Sequence, residues 1–336
     1  MMSKNSIVPF LKDYLIKFLT RPFLLDTNDL LFKFATTEIA QNMKITLFPL
    51  LLLLAAAEVH AQTPRRDANA YRREGYRLVW SDEFTTDGRP DPRRWGYEEG
   101  FERNHEAQYY QRDNALCRDG ILTIEARRER RPSAEYDPDG RNWDQKAPYA
   151  EYTSSSINTR GRFAFRYGRL EVRARIPVAK GAWPAIWLLG TSLPWPHNGE
   201  IDVMEYYHTD GIPYILANAA WGGKKRHQAV WNTGKIPYSH FLEADPDWAD
   251  KFHTWRMDWD ETAISIYLDG ELLNRIDLSK TVNRGGDGAG INPFHREQFI
   301  LLNLALGGDN GGPIDDSAMP MHYEIDYVRV YQKADK

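Results

Sequence analysis

The stretch Glu200-Ile201-Asp202-Val203-Met204-Glu205 constrains this chain more than any other. Three carboxylates fall within six residues of a β-prone, apolar run. A solvated surface strand would interleave Lys or Thr, and a core strand would carry no acids. Side chains alternate along a strand, so Glu200 and Asp202 share one face while strict alternation turns Glu205 to the other. One extra residue at Val203-Met204, a β-bulge, would swing Glu205 back to join them.

The chain around this stretch reads as β throughout. Tyr76–Trp80 and Ile121–Ala126 alternate as strands, the second entered through the turn Arg118-Asp119-Gly120. Leu170, Val172, Ala174 and Ile176 fall on one face and Glu171, Arg173 and Arg175 on the other. Trp255, Met257 and Trp259 repeat the pattern, and Asp269-Gly270-Glu271 between two apolar runs signals a hairpin. Phe299–Leu306 suits a central strand and Tyr323–Tyr331 closes the chain as another. Arg130–Lys146 reads as a long surface loop, and helical periodicity is confined to one short segment near Leu242–Lys251. No repeat of 20–50 residues appears. Many short strands with regular turn signals predict one all-β domain over 74–336, a two-sheet sandwich or jelly roll.

Formal net charge is -4 and no dense run of Lys and Arg occurs, which argues against a nucleic-acid partner. A single cysteine, Cys117, excludes an internal disulfide and a thiolate zinc site, and reads as a small buried hydrophobe. Aromatic residues make up 13% of the chain. Most must be core, but several Trp faces could line a groove and stack on sugar rings.

The N-terminus reads as a processing region. Met43-Lys44, the apolar run Ile45–Ala57 and the small residues of Val59-His60-Ala61 have the layout of a secretory signal peptide over 43–61. The apolar run is too short for a comfortable membrane span. Residues 1–42 are then an over-called upstream extension, and the polar residues 62–73 a linker. The expectation is a secreted or periplasmic protein with no transmembrane segment in its mature chain.

Two carboxylates facing a groove can cleave a glycosidic bond without metal or cofactor: one attacks the anomeric carbon while the other protonates the leaving oxygen and later activates water. The retaining version needs the two carboxyl groups roughly 5–5.5 Å apart. A bulge that bends the strand makes that separation attainable, and Asp202 between the two would raise at least one pKa by like-charge repulsion. Acidic strands also occur on solvated edges, and clustered acidic oxygens bind Ca²⁺. The surroundings favour chemistry: Trp183 and Trp187, four apart in Gly181–Trp187, share a face, and Trp195, Trp221 and Trp231 follow.

At this point the stretch resembles glycoside hydrolase family 16, in the bulged, laminarinase-type form of its Glu-x-Asp-x-x-Glu signature. Trp80–Phe84, Gly181–Leu188, Phe299–Gly308 and Asp326–Tyr331 look like family segments in family order. The resemblance implies a curved, concanavalin-like jelly roll with a concave substrate cleft and retaining endo-hydrolysis of a polysaccharide. It makes Glu200 the nucleophile, Glu205 the general acid/base and Asp202 the residue that orients the nucleophile. Trp183 and Trp187 would stack near the cleaved sugar, Asn104 and Glu106 would border the cleft, and Trp221 would contact substrate. It also implies a structural Ca²⁺ on the convex side, held by Glu83, the carbonyl of Gly120 and Asp326, with no cofactor for catalysis.

One departure bears on specificity. Many laminarinase-type members carry a Thr-x-His-Tyr-like run one strand after the signature, where this chain reads Asn218-Ala219-Ala220-Trp221. The leading expectation is a monomeric endo-β-glucanase acting on β-1,3- or mixed β-1,3/1,4-glucan. The alternative within the class is hydrolysis of a marine galactan such as agar, porphyran or carrageenan, for which Arg160, Arg162, Arg166 and Arg226 could supply a basic cleft. The alternative of another class is a non-catalytic carbohydrate-binding jelly roll.

Overall fold

A computed structural model describes residues 65–225 and 227–334. The extension and leader read over 1–61 lie outside the described residues, as does Arg226.

Fifteen strands build two antiparallel sheets. In chain order they are β1 (Tyr76–Asp82), β2 (Gly96–Glu98), β3 (Ala115–Arg118), β4 (Ile121–Ala126), β5 (Ser156–Asn158), β6 (Gly168–Arg175), β7 (Ala182–Gly190) and β8 (Glu200–Thr209), then β9 (Ile212–Gly222), β10 (Ala229–Pro237), β11 (His253–Trp259), β12 (Ala263–Leu268), β13 (Glu271–Asp277), β14 (Gln298–Leu306) and β15 (Met321–Lys333). The seven-stranded sheet runs β10-β9-β8-β7-β14-β5-β2. The eight-stranded sheet runs β13-β12-β11-β6-β15-β4-β3, with β1 also paired to β15. This is the all-β, two-sheet architecture expected. The one ordinary helix near the expected place is Tyr238–Ala244, followed by a 3-10 turn at Trp248–Asp250, so the helical signal begins a turn earlier than read.

Alternation explains how the sheets share a core. Ile186 and Leu188 of β7, Ile201 and Tyr206 of β8, and Ile300, Leu302 and Leu304 of β14 point inward. Leu170 and Val172 of β6, with Trp255, Met257 and Trp259 of β11, meet them from the other sheet. Burying such side chains contributes about 1.5–3 kcal/mol each relative to exposure, which holds both sheets in register. Three hairpins turn on Asp-Gly pairs with both residues at positive φ: Asp119-Gly120, Asp210-Gly211 and Asp269-Gly270. That is the type I′ geometry, whose twist matches the strands it joins. Cys117 is buried and free, as its sequence context indicates.

The outer face of the eight-stranded sheet differs from expectation. Glu171 and Arg173 were read on the polar face of β6, yet both are buried. Arg173 pairs with Asp326 and lies over Phe252, and Glu171 is covered by residues 65–75, read as linker up to Arg73. Tyr71 is buried and its hydroxyl donates to Glu171, which also accepts from the Tyr327 hydroxyl at 2.8 Å. Arg169 reaches Glu74 at 3.0 Å, and the Arg66 carbonyl accepts from Arg329 at 2.7 Å. A buried carboxylate needs such donors, so this segment is a strap on the sheet.

Candidate active site

The seven-stranded sheet presents its outer face to a groove of about 600 Å³. The floor is built by five adjacent strands: Asn303 comes from β14, Trp183, Ala185, Trp187 and Leu189 from β7, the acids from β8, Asn218 from β9, and Trp231 with Thr233 from β10. The groove therefore runs across the strands.

The bulge in β8 stands where alternation required it. Trp187 pairs with Asp202 and Ile186 with Met204, which leaves Val203 unpaired against β7. Against β9 the register slips between Asp202, opposite Asn218, and Glu205, opposite Leu216. Val203 and Met204 both enter the core, and Glu200, Asp202 and Glu205 all line the groove.

Each carboxylate has its own environment. Glu205 accepts from Trp183 Nε1 and Asn218 Nδ2, each at 2.8 Å. Burial pushes its carboxyl up to about 7, with the charges of Glu200 and Glu106 adding to the shift and those two hydrogen bonds opposing it. Glu200 is also raised by burial, but is pulled down by its bonds to Trp195 and Asp202 and by the positive charge of Arg103. The Trp195 bond, from Nε1 to Oε2, is 2.6 Å. Asp202 lies well above the usual carboxylate range, through burial first and then the charges of Glu200 and Glu205. A protonated Asp202 donates a hydrogen bond to Glu200, which favours the charged form of Glu200. The site thus separates an acid that keeps its proton near neutrality from one poised to ionise, the arrangement acid–base chemistry needs.

Asn104 and Glu106 border the groove as expected. Glu106 is buried and accepts from Asn104 at 3.1 Å, from Gln108 at 2.7 Å and from the Tyr110 hydroxyl at 3.3 Å. Trp183 and Trp187 share the groove face but are only 6% and 8% exposed, so they offer little ring surface for stacking. Trp183 instead orients Glu205. Trp187 donates to Asn303 at 2.7 Å and lies under the Arg103 guanidinium, whose centre is 5.2 Å from the ring.

Trp221 is a correction. It sits in the core against Phe294 and does not line the groove. Asn218 and Trp221 are three residues apart on one strand, so when Asn218 reaches Glu205, Trp221 must point inward. The exposed indoles of the groove are Trp195 and Trp231. Sequence reasoning did not assign Asn218 or Arg103 a role. The Asp210-Gly211 turn was the missed signal for Asn218, since a two-residue hairpin fixes the register across β8 and β9.

The residues the resemblance assigns to a structural Ca²⁺ do not fit a cation in this chain. Both Glu83 oxygens accept from Arg329 at 2.8 Å, and one accepts from Arg65 at 2.6 Å. Asp326 pairs with Arg173 at 2.7 Å and with Arg65 at 3.3 Å. Three guanidinium groups already neutralise the two carboxylates, and a cation there would be repelled. Among the described residues no group of three or more His, Cys, Asp or Glu side chains gathers to hold a metal. The basic cleft imagined for sulfated galactans is also absent among the described residues. Arg160 stacks over Phe299, Arg162 bonds the Pro92 carbonyl, and Arg166 lies over Tyr167. The groove's charged residues are Arg103 against Glu106, Glu200, Asp202 and Glu205.

Comparison with known proteins agrees with this geometry. Residues 104–329 match the family described as Glycosyl hydrolases family 16. The β-glucanase of Rhodothermus marinus is 35% identical over 276 residues, covering 76% of this chain and 85% of that protein. A solved structure of the endo-acting O-glycanases that prominent human gut microbes express to initiate mucin breakdown is 33% identical, covers 80% of this chain and 94% of its own, and superimposes with a TM-score of 0.69. The laminarinase catalytic domain from Thermotoga maritima is 32% identical, covers 77% and 99%, and gives 0.64. With the bulged acidic strand, the two-sheet fold and these matches together, the chain is a glycoside hydrolase and belongs to glycosyl hydrolases family 16.

Proposed function

We propose that this protein is a secreted, monomeric, retaining endo-β-glucanase that hydrolyses β-1,3- or mixed β-1,3/1,4-glucan. The observation that carries the chemistry is the bulged strand, which turns Glu200, Asp202 and Glu205 to one groove with unequal proton affinities. Ionised Glu200 attacks the anomeric carbon and forms a glycosyl-enzyme bond while Glu205 gives its proton to the departing oxygen. Glu205, now a carboxylate, takes a proton from water, and the hydroxide released displaces Glu200 with retention. Asp202 holds Glu200 in place through its donated hydrogen bond. A groove open across five strands suits attack within a long chain. The similarity to β-glucanase and laminarinase supports glucan as the substrate. Export through residues 43–61 is consistent with a polymeric substrate, and among the described residues no helix is long and apolar enough to cross a membrane.

Two observations favour a second reading. Ala219-Ala220 takes the place where a histidine was expected, and the structural similarity is higher to the mucin-acting O-glycanase than to the laminarinase quoted above. A mucin O-glycan is therefore the competing substrate.

Product analysis on laminarin, mixed-linkage glucan, agarose, carrageenan and mucin O-glycans tests the assignment. Oligosaccharide release from the two glucans, with retained anomeric configuration by NMR, is the expected result. Release from mucin glycans alone would replace the substrate, and sugar binding without cleavage would return the protein to the non-catalytic class. Glu200→Gln should abolish hydrolysis while leaving substrate binding intact.

A further inference from the structure

The edge strand β10 mirrors the acids of β8 across the sheet. Glu200 faces Ala220, which faces Trp231; Asp202 faces Asn218, which faces Thr233. Trp231 and Thr233 both line the groove. Trp231 lies two strand spacings from Glu200, about 10 Å at 4.7–4.9 Å per strand, the scale of a disaccharide. It is 47% exposed and has no stacked or edge-on aromatic partner among the described residues. In the register between it and Glu200 stands Ala220, which is fully covered by its neighbours. Beside Glu200 stands the second exposed indole, Trp195, 42% exposed and anchored by its bond to the Glu200 carboxylate.

An indole combines a broad apolar face with a polar N–H, and Trp231 presents it at the edge of a polar groove. Sugar rings bring an apolar C–H face and a rim of hydroxyls, which suit an indole face with a hydroxyl side chain beside it. From this we infer that Trp231 and Thr233 form a sugar-binding subsite on β10, one or two rings from the cleavage point. Trp231 is the stacking platform, and Thr233 hydrogen-bonds a ring hydroxyl. The subsite sets how long a chain must be to bind well. This rests on the reading that Glu200 marks the cleavage point.

Kinetics on a ladder of oligosaccharides of the substrate that the wild-type protein cleaves best, together with the polymer, test it. Trp231→Ala should lower kcat/KM about tenfold or more for the polymer and for oligosaccharides long enough to reach β10, mainly through KM. The shortest cleavable oligosaccharide should be hardly affected, and Trp231→Phe should keep most of the activity. In a Glu200→Gln background, calorimetry should show the same loss of affinity for long chains when Trp231→Ala is added. Equal polymer kinetics and equal calorimetric affinity with and without the indole would overturn the subsite. Cleavage persisting in Glu200→Gln would instead overturn the catalytic reading, while the calorimetric comparison would still decide the role of Trp231.

Discussion

At the scale of single residues, the site works because three adjacent carboxylates are not equivalent. Glu205 is pushed up to about 7 by burial, and its two hydrogen bonds to Trp183 and Asn218 restrain the rise. The proton it holds is the one the leaving oxygen needs, so activity should fall as pH rises through about 7. Asn218→Ala removes one restraint, and the alkaline limb of the kcat/KM profile should move to higher pH; an unmoved limb would separate Asn218 from Glu205. The same shift has a consequence for stability. Glu205 titrates at about 7 in the fold against 4.5 ordinarily, so the fold favours its neutral form. That contribution is complete below about 4.5 and is lost as pH rises through about 7. Glu205→Gln is always neutral. Its thermal midpoint should exceed the wild-type value above neutrality and converge with it in acid, even as hydrolysis disappears.

At the scale of the element, the bulge in β8 is the decisive feature. Val203 and Met204 both enter the core, and the register with β9 absorbs the extra residue between Asp202 and Glu205. Deleting Met204 restores strict alternation and places Glu205 four regular steps from Glu200, on the groove face without a bulge. Hydrolysis should then persist at a reduced but measurable rate, in a protein whose circular dichroism remains β-rich, whereas deleting Met204 together with Val203 should turn Glu205 toward the core and abolish it. Complete loss in a folded Met204 deletion would contradict this account of the strand. Parity across the sheet also explains the aromatics. Trp221 and Trp231 looked alike in the sequence, but one lies an odd number of steps from Asn218 on the same strand and the other pairs with Ala220 on the groove face.

At the scale of the whole molecule, residues 65–75 close the outer sheet. They supply Tyr71 to Glu171, Glu74 to Arg169, and Arg65 to both Glu83 and Asp326. Losing a donor to a buried carboxylate costs on the order of 1–3 kcal/mol. Tyr71→Phe should therefore lower the thermal midpoint by several degrees with little change in kcat, since the groove lies on the other sheet. Because arginines neutralise Glu83 and Asp326, treatment with EDTA should leave the unfolding temperature unchanged. A clear drop, restored by added Ca²⁺, would show that an ion displaces Arg65.

Much of this was legible in the chain itself. Alternation in β6 and β11, the apolar run of β14, the Asp-Gly turns and the acidic run of β8 announced an all-β fold, the bulge and the three acids, because those patterns are local and a strand's period is two. What the sequence could not contain was the company each face keeps. Glu171 and Arg173 alternate as solvated residues do, yet a segment about a hundred positions earlier covers Glu171, and Asp326 and Phe252 enclose Arg173. Trp183 and Trp187 lie on the correct face, but Trp187 is packed against Asn303 of β14 and Arg103, and Trp183 against Glu205 and Tyr207 of β8, so they support the site more than they touch sugar. The sequence by itself determined which strands form and which face of β8 bears the acids. Only the tertiary structure decided which aromatic residues meet substrate and which cations meet Glu83 and Asp326, because burial and charge compensation depend on partners that chain distance does not predict.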